Sequence, residues 1–178
     1  MSSSMVAKRY ALALLQIAKE QRLLTELEAE LRVVKEVLQY TPELNAVLKS
    51  SKLTIDKKKE IVTQAFAAVN QYVLNTMLIL IDRHREGEIV NVANEYIELA
   101  NQELGIAEAE VTSTRPLSDA ERQALSAVFA AKIGKSSLKI ENYVDSDLLG
   151  GLKLRIGNRI YDGSLRGKLD RLERKLLG

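Results

Sequence analysis

The chain has 178 residues, enough for one domain or two small ones whose core needs no metal or disulfide. Its 26 basic and 24 acidic residues give a formal net charge of +2, and 46% of the residues are hydrophobic, which argues against disorder and against general attraction for nucleic acid. Two prolines and 4% aromatic residues argue against a sandwich or barrel, and without cysteine there is no disulfide, thiolate metal site or cysteine nucleophile.

The first predicted helix runs to about Glu20 and carries two apolar stripes at helical spacing, whereas a simple bundle helix needs only one. The stripes are Val6, Tyr10, Ala13 and Ile17 on one side, with Ala7, Ala11, Leu14 and Ala18 beside them. The charged and apolar start resembles a signal peptide, but the apolar run is short and contains Gln16, so an amphipathic helix is favoured. Two faces buried inside a bundle and a surface that receives another protein both fit this pattern.

Five further helices are predicted up to Gly105, which has the position of a left-handed C-terminal cap. The second is long and has one apolar stripe, and Thr41 and Pro42 begin a short third. Thr54 and Asn70 are expected to cap the fourth and fifth. The fifth, expected to end at Gly87, contains an apolar run from residue 72 to residue 81, which is too short to cross a membrane and indicates a central or covered helix. The sixth helix has one apolar face.

The second half of the chain changes period and predicts a small α+β domain. Alternating residues predict strands over about 107–112 and 138–144, separated by a helix that begins with the capping box Ser118 to Glu121 and ends at Gly134. Two more strands are expected to form a hairpin around Gly157 and Asn158. The predicted fold is therefore mainly α: a six-helix bundle followed by a mixed sheet and a C-terminal helix.

No constellation of residues predicts catalysis. Gly134-Lys135-Ser136 resembles the end of a phosphate-binding loop, but the chain has Phe129 where that loop needs glycine, and a helix precedes where a strand should. The single histidine, His84, has the setting of a solvated helix end, and a solvated turn is the preferred interpretation of Asp145 and Asp147.

The last predicted helix has leucines stepping by four, three and four residues, at 165, 169, 172 and 176, among several basic residues. A surface for a partner helix, a basic helix lying on a membrane and a helix packed on its own sheet all fit this pattern. An acidic partner or RNA is also conceivable, although no aromatic platform for stacking bases accompanies the basic residues.

Two segments resemble the delta-subunit family of bacterial F-type ATP synthase, the counterpart of the mitochondrial oligomycin-sensitivity-conferring protein. Near the start, Ala7-Lys-Arg-Tyr-Ala-x-Ala-Leu14 is similar to the opening helix of that family. Near the end, the run from Val144 to Gly157, with Leu148-Leu-Gly-Gly-Leu at its centre, and the run Asp162-Gly-Ser-Leu-Arg-Gly resemble its signature. Ser146 stands where the family often has proline, and Asn158 where it often has aspartate.

The resemblance implies a stator component without chemistry or cofactor of its own, held peripherally at the cytoplasmic face of the cell membrane. Residues 1–105 are then expected to bind N-terminal helices of the alpha subunits, and residues 106–178 the C-terminal ends of the peripheral-stalk b subunits. The candidate alpha-binding residues are Val6, Tyr10, Ala13, Ile17 and Ile79, and the candidate b-binding residues are Leu165, Leu169, Leu172 and Leu176. The alternative function is an RNA- or ribosome-associated adaptor.

Overall fold

Six α-helices precede the first strand in the computed structural model, which describes residues 5–50 and 52–176. They are α1 (Met5–Gln21), α2 (Leu24–Tyr40), α3 (Pro42–Lys49), α4 (Ile55–Ala65), α5 (Gln71–Asp82) and α6 (Ile89–Glu103). A short 3-10 turn, Glu86–Glu88, lies between α5 and α6. The number of helices and their order agree with the prediction from periodicity.

Capping side chains explain where several of these helices begin. The hydroxyl of Thr54 accepts a hydrogen bond from the Lys57 N–H at 3.4 Å at the start of α4, and the Asn70 side chain accepts one from the Tyr72 N–H at 3.1 Å at the start of α5. Thr41 has the N-cap position of α3 but makes no side-chain bond there, so Pro42, with its preset backbone angle, is the main starting signal.

The end of α5 differs from the prediction. The helix was expected to continue to Gly87, but it ends at Asp82, and His84 adopts a left-handed backbone with φ of 54°. The N–H groups of His84 and Arg85 donate to carbonyls of the last turn, which satisfies groups that an abrupt end would leave unpaired. A non-glycine residue in this conformation is uncommon, and for that reason periodicity and glycine placement did not locate the helix end.

The core of the helical part is made by one buried face from each of its longer helices. On α2, the residues Leu27, Leu31, Val34 and Leu38 are buried as their spacing predicted. Tyr96 of α6 is fully buried, and burial, followed by the nearby charge of Glu28, raises its pKa to about 12. The O–H of Tyr96 donates to the carbonyl of Leu24 at 3.4 Å.

The second part of the chain has four strands and two further helices. They are β1 (Ile106–Ser113), α7 (Asp119–Ile133), β2 (Ser137–Val144), β3 (Leu152–Ile156), β4 (Arg159–Asp162) and α8 (Leu165–Leu176), with a 3-10 turn at Ser146–Leu148. The sheet order is β2-β1-β3-β4, in which β1 pairs parallel with β2 and antiparallel with β3. The hairpin of β3 and β4 completes the predicted mixed sheet.

Helix α7 covers one face of this sheet. Val111 and Leu154 are fully buried beneath it, and the rings of Phe129 and Tyr161 meet edge to face with their centroids 5.2 Å apart. The predicted capping box is present: the Ser118 hydroxyl accepts from the Glu121 N–H at 3.3 Å, and the Ser118 N–H donates to the Glu121 carboxylate at 2.9 Å. Hydrogen bonds from Arg115 and Ser118 lower the pKa of Glu121 to about 2, so the box persists in mild acid.

Backbone contacts divide the chain into two compact units, one ending at Ala100 and the other beginning at Asn101. Glycine usage predicted a boundary at Gly105, just before β1, which is five residues after the end of the first unit. Among the described residues, no helix has both the length and the apolar content that a membrane crossing requires.

Replacing Gly151 with alanine is expected to destabilise the second unit by about 3 kcal/mol. Gly151 has φ of 78°, and an added Cβ would lie 2.5 Å from the carbonyl oxygen of Gly163, a backbone atom that cannot move aside cheaply. Gly134→Ala is the matched control, because Gly134 has φ of 68° but no atom within 4 Å of the added carbon. We expect the control to lose about 1 kcal/mol. Urea unfolding followed by hydrogen exchange of the β1 and β3 amides measures both losses, and equal losses would contradict the steric argument.

Candidate interaction surfaces

The second apolar stripe of α1 is accessible in part along its length. Val6, Tyr10 and Ile17 are half-buried and Ala13 is exposed. The neighbouring stripe points into the bundle, where Ala7, Ala11, Leu14 and Ala18 are buried. Tyr10 is partly buried and also packs against the core. The structure thus distinguishes the two stripes that the sequence could not: one forms core, and the other lies at its margin.

Ile79 lies on the outward side of α5 and is 48% exposed, whereas Val73, Met77 and Leu80 of the same helix are buried. Helices α1 and α5 pack against each other. The predicted alpha-binding residues therefore belong to two adjacent helices. Burial accounts for most of the apolar run on α5, but not for Ile79.

Other large apolar side chains outside the candidate sets are also exposed, some of them on α1 and α2. Leu12 of α1 is 45% exposed, and on α2 Val33 is 53% exposed and Tyr40 84%. Val33, Val37 and Tyr40 step by four and three residues, which is the spacing of a second stripe on α2. That spacing was visible in the sequence, but only the leucine stripe of the same helix was assigned, because it is longer and more regular.

The leucines of α8 are not covered by the sheet. Leu165, Leu169, Leu172 and Leu176 are 48%, 57%, 56% and 84% exposed. None of the four belongs to the core of the second unit. A helix packed on its own sheet, one of the interpretations that the sequence left open, does not describe these side chains, because they remain largely available for contact.

The first turn of α8 is tied firmly to the preceding hairpin. Ser164 is buried, its hydroxyl accepts from the Gly167 N–H at 3.0 Å, and the same hydroxyl donates to the Asp162 carboxylate at 2.6 Å. The Leu165 N–H donates to the carbonyl of Gly150 at 3.0 Å. The segment Asp162-Gly-Ser-Leu, part of the run whose resemblance to a family signature was noted in the sequence, therefore builds an N-cap that sets the direction of the exposed helix.

Leu149 precedes this attachment point and has an unusual backbone. Its φ is 59°, in the left-handed region that disfavours a leucine, and its side chain is 69% exposed.

The 3-10 turn before Leu149 is capped by Asp145, whose carboxylate accepts from the Asp147 N–H at 2.9 Å. Asp145 therefore has a local structural role.

The other residues considered for chemistry lie on separate elements or have structural roles. His84 is exposed at the end of α5, and Gly134 is the left-handed C-cap of α7, with its φ of 68°. No group of three metal-binding side chains occurs among residues 5–50 and 52–176. The strongest features of the described surface are thus apolar stripes on helices, which suit protein partners.

Comparisons with known proteins agree on one family. A family model described as "ATP synthase delta (OSCP) subunit" matches residues 6–176. The chain is 52% identical to the ATP synthase subunit delta of Bacillus subtilis (strain 168), over 100% of this chain and 98% of that protein. It is 49% identical to that of Geobacillus sp. (strain WCH70), over 100% of both. A chain in the cryo-EM structure of the Toxoplasma gondii mitochondrial ATP synthase hexamer has a similar fold, with a TM-score of 0.67 at 18% identity, covering 98% of this chain and 99% of that chain.

Proposed function

We propose that the two halves of this chain, which belongs to the ATP synthase delta (OSCP) subunit family, bind two different parts of the enzyme. The chain is a non-catalytic stator component that links the catalytic head to the peripheral stalk, so that rotor torque is coupled to ATP synthesis and proton transport. In our proposal, residues 1–105 bind N-terminal helices of the alpha subunits, and residues 106–178 bind the C-terminal ends of the b subunits. The assembled chain then lies peripherally, at the cytoplasmic face of the cell membrane.

The accessible stripe of α1 is the observation that supports the alpha contact. Ala13 is small and exposed, so a partner helix could approach the backbone of α1 closely there. Tyr10 offers an aromatic side chain that already packs in part against the core, which lowers the entropy lost when a partner covers its accessible part. Ile79 on the adjacent helix α5 supplies exposed apolar surface.

The exposed leucines of α8 support the b contact. Four leucines on one helical face would stay in contact with water unless a partner covered them, and burying such side chains is the main driving force of association. The alternative of an RNA- or ribosome-associated adaptor is not supported by the family match. Apolar stripes also suit a protein partner better than a phosphate backbone does.

Tyr10→Ala is expected to weaken binding of an alpha-subunit N-terminal peptide to the full chain by at least about 1 kcal/mol, or roughly five-fold. Ala13→Glu should be more harmful, because it places a charge within a close helix contact. Calorimetry with the peptide measures both effects. Tyr40→Ala is the matched control, because it removes an exposed tyrosine from α2, outside the proposed contact. Circular dichroism verifies that each variant is folded, and undiminished affinity of a folded Tyr10→Ala chain would remove Tyr10 from the site.

A further inference from the structure

We propose that α8 selects its partner by charge as well as by apolar contact, and that the segment it binds is an amphipathic helix with acidic residues along one flank of its apolar stripe. This inference rests on the proposed function, in which the partner is the C-terminal end of a b subunit. The inference and the proposed function can be tested separately. The exposed leucines of α8, which form an apolar seam, decide whether the segment binds, whereas the charged residues beside them decide which segment binds.

The leucine spacing defines the geometry of the contact. Steps of four, three and four residues place the leucines at the a and d positions of a heptad, the pattern that packs one helix along another. In that frame the exposed leucines form a continuous seam along α8, from its tied first turn onward. A partner helix with the same period would cover all four.

The charges beside the seam differ between its two flanks. Lys168 lies on one flank and is exposed, and the sequence repeats a lysine at the equivalent heptad position 175. The equivalent positions on the other flank hold Arg166 and Glu173, one of each sign. Residues at these flanking positions set partner choice and orientation in coiled coils. The uniform lysine flank therefore favours glutamate or aspartate on the partner helix facing it.

The composition of α8 points in the same direction. The helix contains five basic and two acidic residues. An acidic segment would be attracted to it, and a basic one would be repelled. Two copies of α8 packed antiparallel would bring their lysine flanks together, which disfavours that form of self-association.

Leu149 extends the same seam. Its left-handed backbone is strained for a leucine, yet its side chain is exposed and lies outside the core of the second unit. The next residue, Gly150, accepts the hydrogen bond from the Leu165 N–H, so Leu149 adjoins the beginning of the leucine stripe. We infer that the strain is retained because it presents this side chain to the partner.

The experiment measures binding of the full chain to the C-terminal segment of a b subunit, prepared as a soluble peptide, at several ionic strengths. A second peptide has its acidic residues replaced by the neutral amides. We expect Lys168→Glu to weaken binding of the first peptide about five-fold at low salt, with the difference closing as salt rises. Lys52→Glu, an exposed position between α3 and α4, changes the net charge equally and should have no effect. The amide peptide should not distinguish Lys168→Glu from the parent.

Leu169→Ala and Leu149→Gly separate this inference from the proposed function. Leu169→Ala should weaken both peptides about five-fold or more at every salt concentration. Leu149→Gly should weaken binding several-fold while leaving the unfolding midpoint unchanged or raised, because glycine relieves the left-handed strain. A merely structural role for Leu149 would not produce these opposite effects. Unchanged affinity of Leu149→Gly would exclude Leu149 from the seam.

The remaining outcomes distinguish selection by charge from binding of the b subunit at α8. If Leu169→Ala weakens binding but Lys168→Glu does not, charge selection is wrong and the b contact stands. If Leu169→Ala has no effect, the proposed b site on α8 is wrong, and this inference with it. Leucine-dependent sedimentation of the chain with phosphatidylglycerol vesicles, at an affinity equal to that for the peptide, would make a membrane the occupant. Leucine-dependent dimers in analytical ultracentrifugation would make a second copy the occupant, and either result overturns the proposal.

Discussion

Membranes whose ATP synthase lacks this chain are expected to lose ATP-driven proton transport, while the detached catalytic head continues to hydrolyse ATP. The chain is a non-catalytic link in the stator, so its removal leaves the active sites intact but breaks the connection between the head and the peripheral stalk. Several moderate contacts on separate surfaces hold a tethered assembly through effective concentration, and loss of the link removes that advantage. Quenching of a pH-sensitive dye in inverted vesicles measures transport, and phosphate release measures hydrolysis.

Adding the purified chain back to the depleted membranes and heads is the control, and it should restore transport. Proton transport that persists without the chain would end the stator assignment. Hydrolysis by the soluble head that disappears on removal of the chain would contradict a purely mechanical role.

The second large effect is expected at a buried ion pair that joins α4 to the turn after α5. The Nζ of Lys58 lies 2.5 Å from Oε1 of Glu86, and the two side chains are only 7% and 11% exposed. The other carboxylate oxygen, Oε2, is buried and has no hydrogen-bond partner among the described residues. Lys58→Ala would leave this carboxylate without compensation, and we expect it to lower the free energy of unfolding of the helical unit by about 3 kcal/mol.

Lys59→Ala is the matched control. Lys59 lies on the same helix and its Nζ is 2.5 Å from Asp82, but these side chains are 32% and 46% exposed. An exposed pair contributes about 0.5 kcal/mol, so the control should lose far less in urea unfolding. The double variant Lys58→Met, Glu86→Leu should recover most of the loss because no charge remains buried. A loss for Lys58→Ala no greater than that for Lys59→Ala would contradict this account.

The same pair predicts the direction of an acid effect. Burial raises the pKa of Glu86, but a hydrogen bond from Lys58, a hydrogen bond from the backbone of Glu86 itself and the positive charge of Lys58, with smaller help from His84, bring it below its ordinary value of 4.5. A carboxyl whose pKa is lower in the folded state contributes stability above pH 4.5 and loses it as the pH falls through the lowered value. Lys58→Met should therefore reduce the acid sensitivity of the helical unit.

Local signals in the sequence predicted most of the fold. The caps at Thr54, Asn70 and Ser118 predicted helix starts, because a side chain that accepts a backbone N–H acts within three residues of itself. Alternation likewise predicted β1, β2 and β3, and the turn at Gly157 and Asn158 predicted β4. The end of α5 was missed because His84 adopts a backbone that local preference disfavours. The Lys58 to Glu86 pair was missed because its members come together only through tertiary packing.

The candidate interaction surfaces were predictable in composition but not in orientation. Spacing identified the leucines of α8, yet a stripe that faces a partner and a stripe that faces a sheet have the same period. Only the structure shows that the sheet does not cover these leucines, which remain exposed. The exposed position of Leu149 had no sequence signal beyond its place before two glycines, because it accompanies a left-handed backbone angle.

The position of β1 in the middle of the sheet has a consequence for synthesis of the chain. Both neighbours of β1 come later in the sequence, β2 at Ser137–Val144 and β3 at Leu152–Ile156, whereas the helical unit precedes it entirely. Because a chain emerges from the ribosome N-terminus first, the bundle can complete its core while β1 still has two open edges. Glu108 and Glu110 place charge on one face of that waiting strand, which discourages pairing with other nascent chains. The order of elements thus makes folding of the second unit the late and aggregation-sensitive stage of biogenesis, because its sheet is complete only when β3 and β4 have emerged.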